Sequence, residues 1–77
     1  MDSVLRLSEL TPGEWGRVAR LTAEGPMRRR LLDIGLVENA PVHCIGKSPG
    51  GDPSAYLICG AVIAIRAADA ARVLVVR

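Results

Sequence analysis

Apolar residues along this chain recur mostly with the period of two that marks half-buried strands, in short runs separated by Gly, Pro and Asn. Thr11-Pro12-Gly13 joins a residue that presets φ to one that permits a positive φ, which predicts a turn; a strand follows over Glu14 to Leu21. Val18 is its surest inward residue. Trp15 and Leu21 lie on the other parity, so using all three requires a bulge or burial on both faces. Further strands are predicted over Pro41 to Lys47, Ala55 to Cys59, Val62 to Arg66 and Val73 to Val76. The cluster Ser48-Pro49-Gly50-Gly51-Asp52-Pro53 predicts a hairpin, Gly60 predicts a second tight turn, and Ala67 to Ala71 suits one turn of 3₁₀ structure.

One segment breaks the period of two. Gly25-Pro26 suits the start of a helix, because Pro is tolerated at the first helical position, and strong helix formers follow from Met27 to Ile34. Met27, Leu31 and Ile34 recur at i, i+4 and i+7, which lays an apolar stripe on one side and leaves Arg28, Arg29 and Arg30 on the other side or at its margin. Gly35 is placed to end the helix in a left-handed conformation, and Asn39 to take the positive φ of the next turn. The pattern predicts a mainly β domain of about five short strands with one two-turn helix inserted after the first. Closing that sheet into a small barrel would remove its exposed edges. With no internal repeat or linker, residues 1–77 read as a single domain with its core over about 7–76.

Composition narrows the function. A chain of 77 residues supports one core, and its only aromatic residues are Trp15 and Tyr56, which favours compact strands over a deep ligand cavity. A net charge of +2 is too small to imply general affinity for nucleic acid or acidic membranes, so basic character must be local. Apolar runs such as Ala61-Val62-Ile63-Ala64-Ile65 fall far short of the roughly 20 residues that cross a bilayer as a helix. Met1-Asp2-Ser3-Val4-Leu5-Arg6 carries an acid where a signal peptide has a basic region. A cytoplasmic location without membrane insertion is the expectation.

Cys44 and Cys59 fall on strands joined by the predicted hairpin, and His43 adjoins Cys44, so a metal pair or a disulfide has to be weighed. Successive strand side chains point to opposite faces, which keeps His43 and Cys44 from sharing a metal on a regular strand. Two thiols alone make a poor site, and a reducing cytoplasm disfavours a disulfide. Both cysteines are expected as small buried hydrophobes, with no metal and no cofactor. Catalysis finds no support: there is one His and no compact acid pair, and Gly50-Gly51-Asp52 lacks the Lys and Ser or Thr of a phosphate-binding loop.

The run Arg28-Arg29-Arg30-Leu31-Leu32-Asp33-Ile34-Gly35-Leu36, followed by Gly51-Asp52-Pro53, Gly60, Ala64-Ile65-Arg66, Ala70 and the Val-rich end, resembles the FeoA family over about Leu7 to Val76. The resemblance implies an SH3-like barrel and a non-catalytic regulatory contact with FeoB, a ferrous iron transporter with a cytosolic GTP-binding domain. Where the family usually has Pro-Gly after Gly-Leu, this chain has Glu38-Asn39, and Asn accepts the left-handed position. On this reading Met27, Arg28, Arg29, Arg30 and Leu31 are candidate partner-binding residues, and Gly35, Asn39 and Gly60 are structural turns. The partner is the cytosolic part of the transporter, and the chain is expected as a monomer or weak oligomer. The alternative is a metal-responsive or general interaction module related to the SH3-like domain of iron-dependent repressors. A signalling-type SH3 module would need an aromatic groove that two aromatic residues distant in sequence do not supply.

Overall fold

The computed structural model describes residues 3–77; Met1 and Asp2, which the targeting-signal reading used, lie outside the described residues. The strands are β1 (Val4–Arg6), β2 (Trp15–Leu21), β3 (Pro41–Lys47), β4 (Ser54–Ile58), β5 (Ala61–Ile65) and β6 (Val73–Val76). A 3₁₀ turn, Leu7–Glu9, follows β1, helix α1 (Gly25–Asp33) lies between β2 and β3, and helix α2 (Ala67–Ala70) between β5 and β6. All neighbouring strands are antiparallel, in the order β1-β6-β2-β3-β4-β5.

Alternation decides which side is the core. Val18, Val42, Cys44, Tyr56, Ile58, Ile65, Val73 and Val75 are buried, and Leu7, Leu10, Leu31, Leu36 and Ala70 close over them from the 3₁₀ turn, α1 and α2. Tyr56 is the largest of these, and its hydroxyl donates to the Leu7 carbonyl at 3.2 Å, tying the N-terminal segment to the middle of the sheet. Burial pushes the Tyr56 phenol pKa up. Tyr56→Phe is expected to cost about 1 kcal/mol, the usual net worth of such a bond, because the Leu7 carbonyl still accepts from the Leu10 N–H. Urea unfolding of the two proteins checks it.

The mainly β, SH3-like expectation holds, with corrections to the strand count and to closure, and with Ala67–Ala70 forming a turn of α-helix where 3₁₀ structure was expected. The described residues form six strands, so α1 follows the second. β1 escaped because three residues cannot display a period; Val4↔Val76 pairing with β6 defines it. The hydrogen-bonded sheet does not close, leaving β1 and β5 as its ends. The bulge that the parity of Trp15, Val18 and Leu21 offered as one solution is present, the register of β2 against β6 shifting between Val18 and Arg20. That irregularity turns Leu21 towards the core, while Trp15, before it, stays on the outer face and is 54 % exposed.

The loops are tied by specific acceptors. Asp52 Oδ1 accepts from the Ala67 N–H at 2.9 Å, so the β3–β4 loop supplies a partner for the open end of α2. Glu14 accepts from the Thr11 N–H and hydroxyl, both at 2.8 Å, and from Arg77 at 2.6 Å. The Thr11 bonds hold its carboxyl below the usual range, with Arg77 adding to them. Whatever this latch contributes is present at neutral pH and lost as pH falls through that lowered pKa.

Candidate functional site

Helix α1 carries the candidate contact residues, and its geometry follows from its two ends. Gly25-Pro26 begins it, and Gly35 ends it at φ +107°, with the Gly35 N–H bonded to the Leu32 carbonyl at 3.0 Å and the Leu36 N–H to the Leu31 carbonyl at 3.1 Å. These two bonds form the left-handed terminal motif in which the residue after the glycine packs back on the last turn. Leu36 and Leu31 are both buried, so the cap and the apolar stripe are one anchor.

The five candidate residues therefore divide. Leu31 is 2 % exposed, and Met27 packs against the core as a partly buried side chain. Arg30 donates to Asp69 at 3.1 Å, bridging α1 to α2 with its own side chain well exposed, a pairing worth about 0–1 kcal/mol. Arg28 and Arg29 are at the solvent side, share it with Leu32 and Asp33, and make no ion pair among the described residues. An unpaired guanidinium pair on a short anchored helix is a ready donor to carboxylates.

The three turn residues sit where positive φ is needed. Asn39 has φ +71° and Gly60 φ +81°. Asn39 is also held from both sides, its N–H donating to the Val18 carbonyl at 2.8 Å and its carbonyl accepting from Arg17 at 3.0 Å. Cys44 is buried as expected, and burial pushes its thiol pKa up, which keeps it protonated and unreactive. Cys59 corrects the expectation. The two-residue β4–β5 turn needs positive φ at both of its positions, so β4 ends at Ile58 and Cys59 stands exposed at φ +50°, its sulfur 3.9 Å from the Gly35 carbonyl.

Sequence reasoning missed the outer sheet face. Register places Trp15, His43, Leu57 and Val62 side by side across β2 to β5. Trp15 and His43 stack with ring centroids 4.3 Å apart and planes 4° from parallel. Ile45 and Val62 are exposed on the same sheet, Val62 by 65 %. The signal was available: Trp15 shares its parity with Arg17, opposite Val18. No helix is long and apolar enough to cross a membrane among the described residues.

These features agree with comparisons to known proteins. The FeoA domain model matches residues 5–77. A Porphyromonas gingivalis protein described as a fusion of Fe(2+) transport protein A with the Fe(2+) transporter FeoB is 32 % identical over 69 residues, 90 % of this chain but 8 % of that much longer one. The solution structure of FeoA from Chlorobium tepidum is 35 % identical with a TM-score of 0.85, covering 92 % of this chain and 68 % of its own. A zinc-complexed FeoA from Stenotrophomonas maltophilia, described as an SH3 domain protein, is 31 % identical with a TM-score of 0.82, covering 92 % and 88 %. A manganese-dependent transcriptional repressor, 22 % identical, shares the fold at a TM-score of 0.85 over 95 % of this chain and 36 % of its own. Matched by the family model over nearly its whole length and by solved members of the family, this chain belongs to the FeoA family.

Proposed function

We propose that this chain is an accessory protein of ferrous iron uptake that binds the cytosolic part of a FeoB-type transporter, without catalysis of its own, through the solvent side of α1. The observation that carries the reading is the division within that helix: Leu31 is fixed in the core while Arg28 and Arg29 stand without an ionic partner among the described residues. Such a face matches an acidic surface, and Met27 adds a partly exposed apolar margin. The Porphyromonas gingivalis relative supports the choice of partner, since fusing two units raises the local concentration of one at the other.

The test is a titration against the transporter's cytosolic domain. Arg28→Glu with Arg29→Glu is expected to weaken binding at least about 10-fold while the melting temperature is retained, and added salt should weaken the unsubstituted protein in the same direction. Unchanged affinity in the double variant would remove α1 from the contact.

A further inference from the structure

The two ends of the sheet are finished differently. β1 is three residues long, includes Arg6 and leads at once into the 3₁₀ turn, which blunts it against further pairing. β5 has none of these devices: Ala61-Val62-Ile63-Ala64-Ile65 is uncharged, contains no Pro, and pairs with β4 in continuous register from Ile58↔Ala61 to Ser54↔Ile65. Its outer edge is a row of backbone groups.

Which groups face outward follows from the turn. Cys59 and Gly60, both at positive φ, close a two-residue hairpin on Ile58↔Ala61, which makes that pair a hydrogen-bonded one. Alternation along an antiparallel ladder then aims the N–H and C=O of Ala61, Ile63 and Ile65 at β4, and those of Val62 and Ala64 away from it. Neither Val62 nor Ala64 makes any other backbone bond among the described residues, and both are exposed.

We propose that the β5 edge pairs with the β5 edge of a second copy, antiparallel about a two-fold axis at Ile63. In that register Val62 of each copy lies opposite Ala64 of the other, and both outward residues on each side are used. Four hydrogen bonds form. A large side chain meets a small one twice on the outer face, and the two partly buried Ile63 side chains meet on the inner face. No charge within either strand opposes the approach; Arg66 lies beyond its end, and Arg30 and Asp69, which line the groove beside Ile63 to Ile65, are paired with each other. On the outer face Val62, the end of the row from Trp15, then meets Ala64 of the second copy, whose own cross-strand neighbour is Ala55. A second copy is favoured over an unrelated strand because the edge is self-complementary in donors, acceptors and side-chain size. One strand pair buries less than the roughly 1,200–2,000 Å² of a standard interface, so the dimer is weak and concentration-dependent. It uses none of Met27, Arg28 and Arg29, the residues of the proposed transporter contact, although Arg30, Leu31 and Ile34 of α1 flank Ile63 to Ile65.

Sedimentation velocity on the whole chain from about 10 µM to about 1 mM tests the pairing. A reversible monomer–dimer equilibrium within that range is expected. Val62→Pro and Ala64→Pro each remove an outward N–H without touching the β4 ladder, so each should raise the dimer Kd at least about 10-fold with far-UV circular dichroism unchanged. Val4→Lys, on the opposite edge, should leave it unaltered. If a proline variant does not fold, Val62→Lys keeps the N–H but sets like charges near the two-fold axis, and should give the same weakening. A chain that is monomeric throughout, or a dimer whose Kd is unmoved by the β5 variants, would overturn the proposal.

Discussion

Gly35→Ala is expected to lower the melting temperature by roughly 10 °C or more, given about 4–8 °C per kcal/mol for a domain of this size. Two separate costs meet at that residue. Its φ of +107° lies where a side chain is strained, which costs about 1–3 kcal/mol. A Cβ there would also fall 2.7 Å from the Cys59 sulfur and 3.1 Å from Ile58 Cγ2, so the Cys59 side chain would have to swing aside and Ile58 to give way, at about 1–3 kcal/mol for overpacking. Adding Cys59→Ala separates the two: it takes away the sulfur and should recover part of the loss, leaving the backbone strain. A Gly35→Ala protein that melts with the unsubstituted one would show that the helix end tolerates rearrangement.

Leu31→Ala should have a comparable effect with a different signature. The residue is buried and forms the apolar half of the helix terminus with Leu36, so truncation is expected to cost about 2–5 kcal/mol. A nine-residue helix is too short to persist alone, and its anchor is mostly tertiary. The loss should therefore appear first in α1. Hydrogen exchange of the α1 amides should accelerate more than that of β3 and β4, and transporter binding should weaken although Leu31 itself is out of reach of a partner. Leu31→Met, which nearly conserves volume, should cost under about 1.5 kcal/mol.

These two residues also show what the chain made legible. Gly35 and the i, i+4, i+7 stripe announced the helix and its end because local backbone chemistry and periodicity are written residue by residue. The hairpins and most strand limits came from the same source, as did the positive φ at Asn39 and the tight turn at Gly60. What the sequence left hidden depends on pairing between distant segments. β1 is a strand only because β6 pairs with it, Leu21 turns inward because the register shift falls after Val18, and Asp52 meets Ala67 across fifteen residues. Arg30 differs from its two neighbours only through Asp69, on another helix. The candidate contact was thus visible as a basic helix, but its division into anchor, bridge and solvent-facing pair was not.

The central claim is that the solvent side of α1 meets the transporter, and backbone amide shifts of the labelled chain, followed as the transporter's cytosolic domain is added, test it most directly. Saturable changes are expected at Gly25, Arg28, Arg29, Leu32 and Asp33, reduced by salt, with the outer-face residues Trp15 and Ile45 unmoved. An unchanged spectrum at high partner concentration, or changes confined to the Trp15 face with α1 silent, would contradict it.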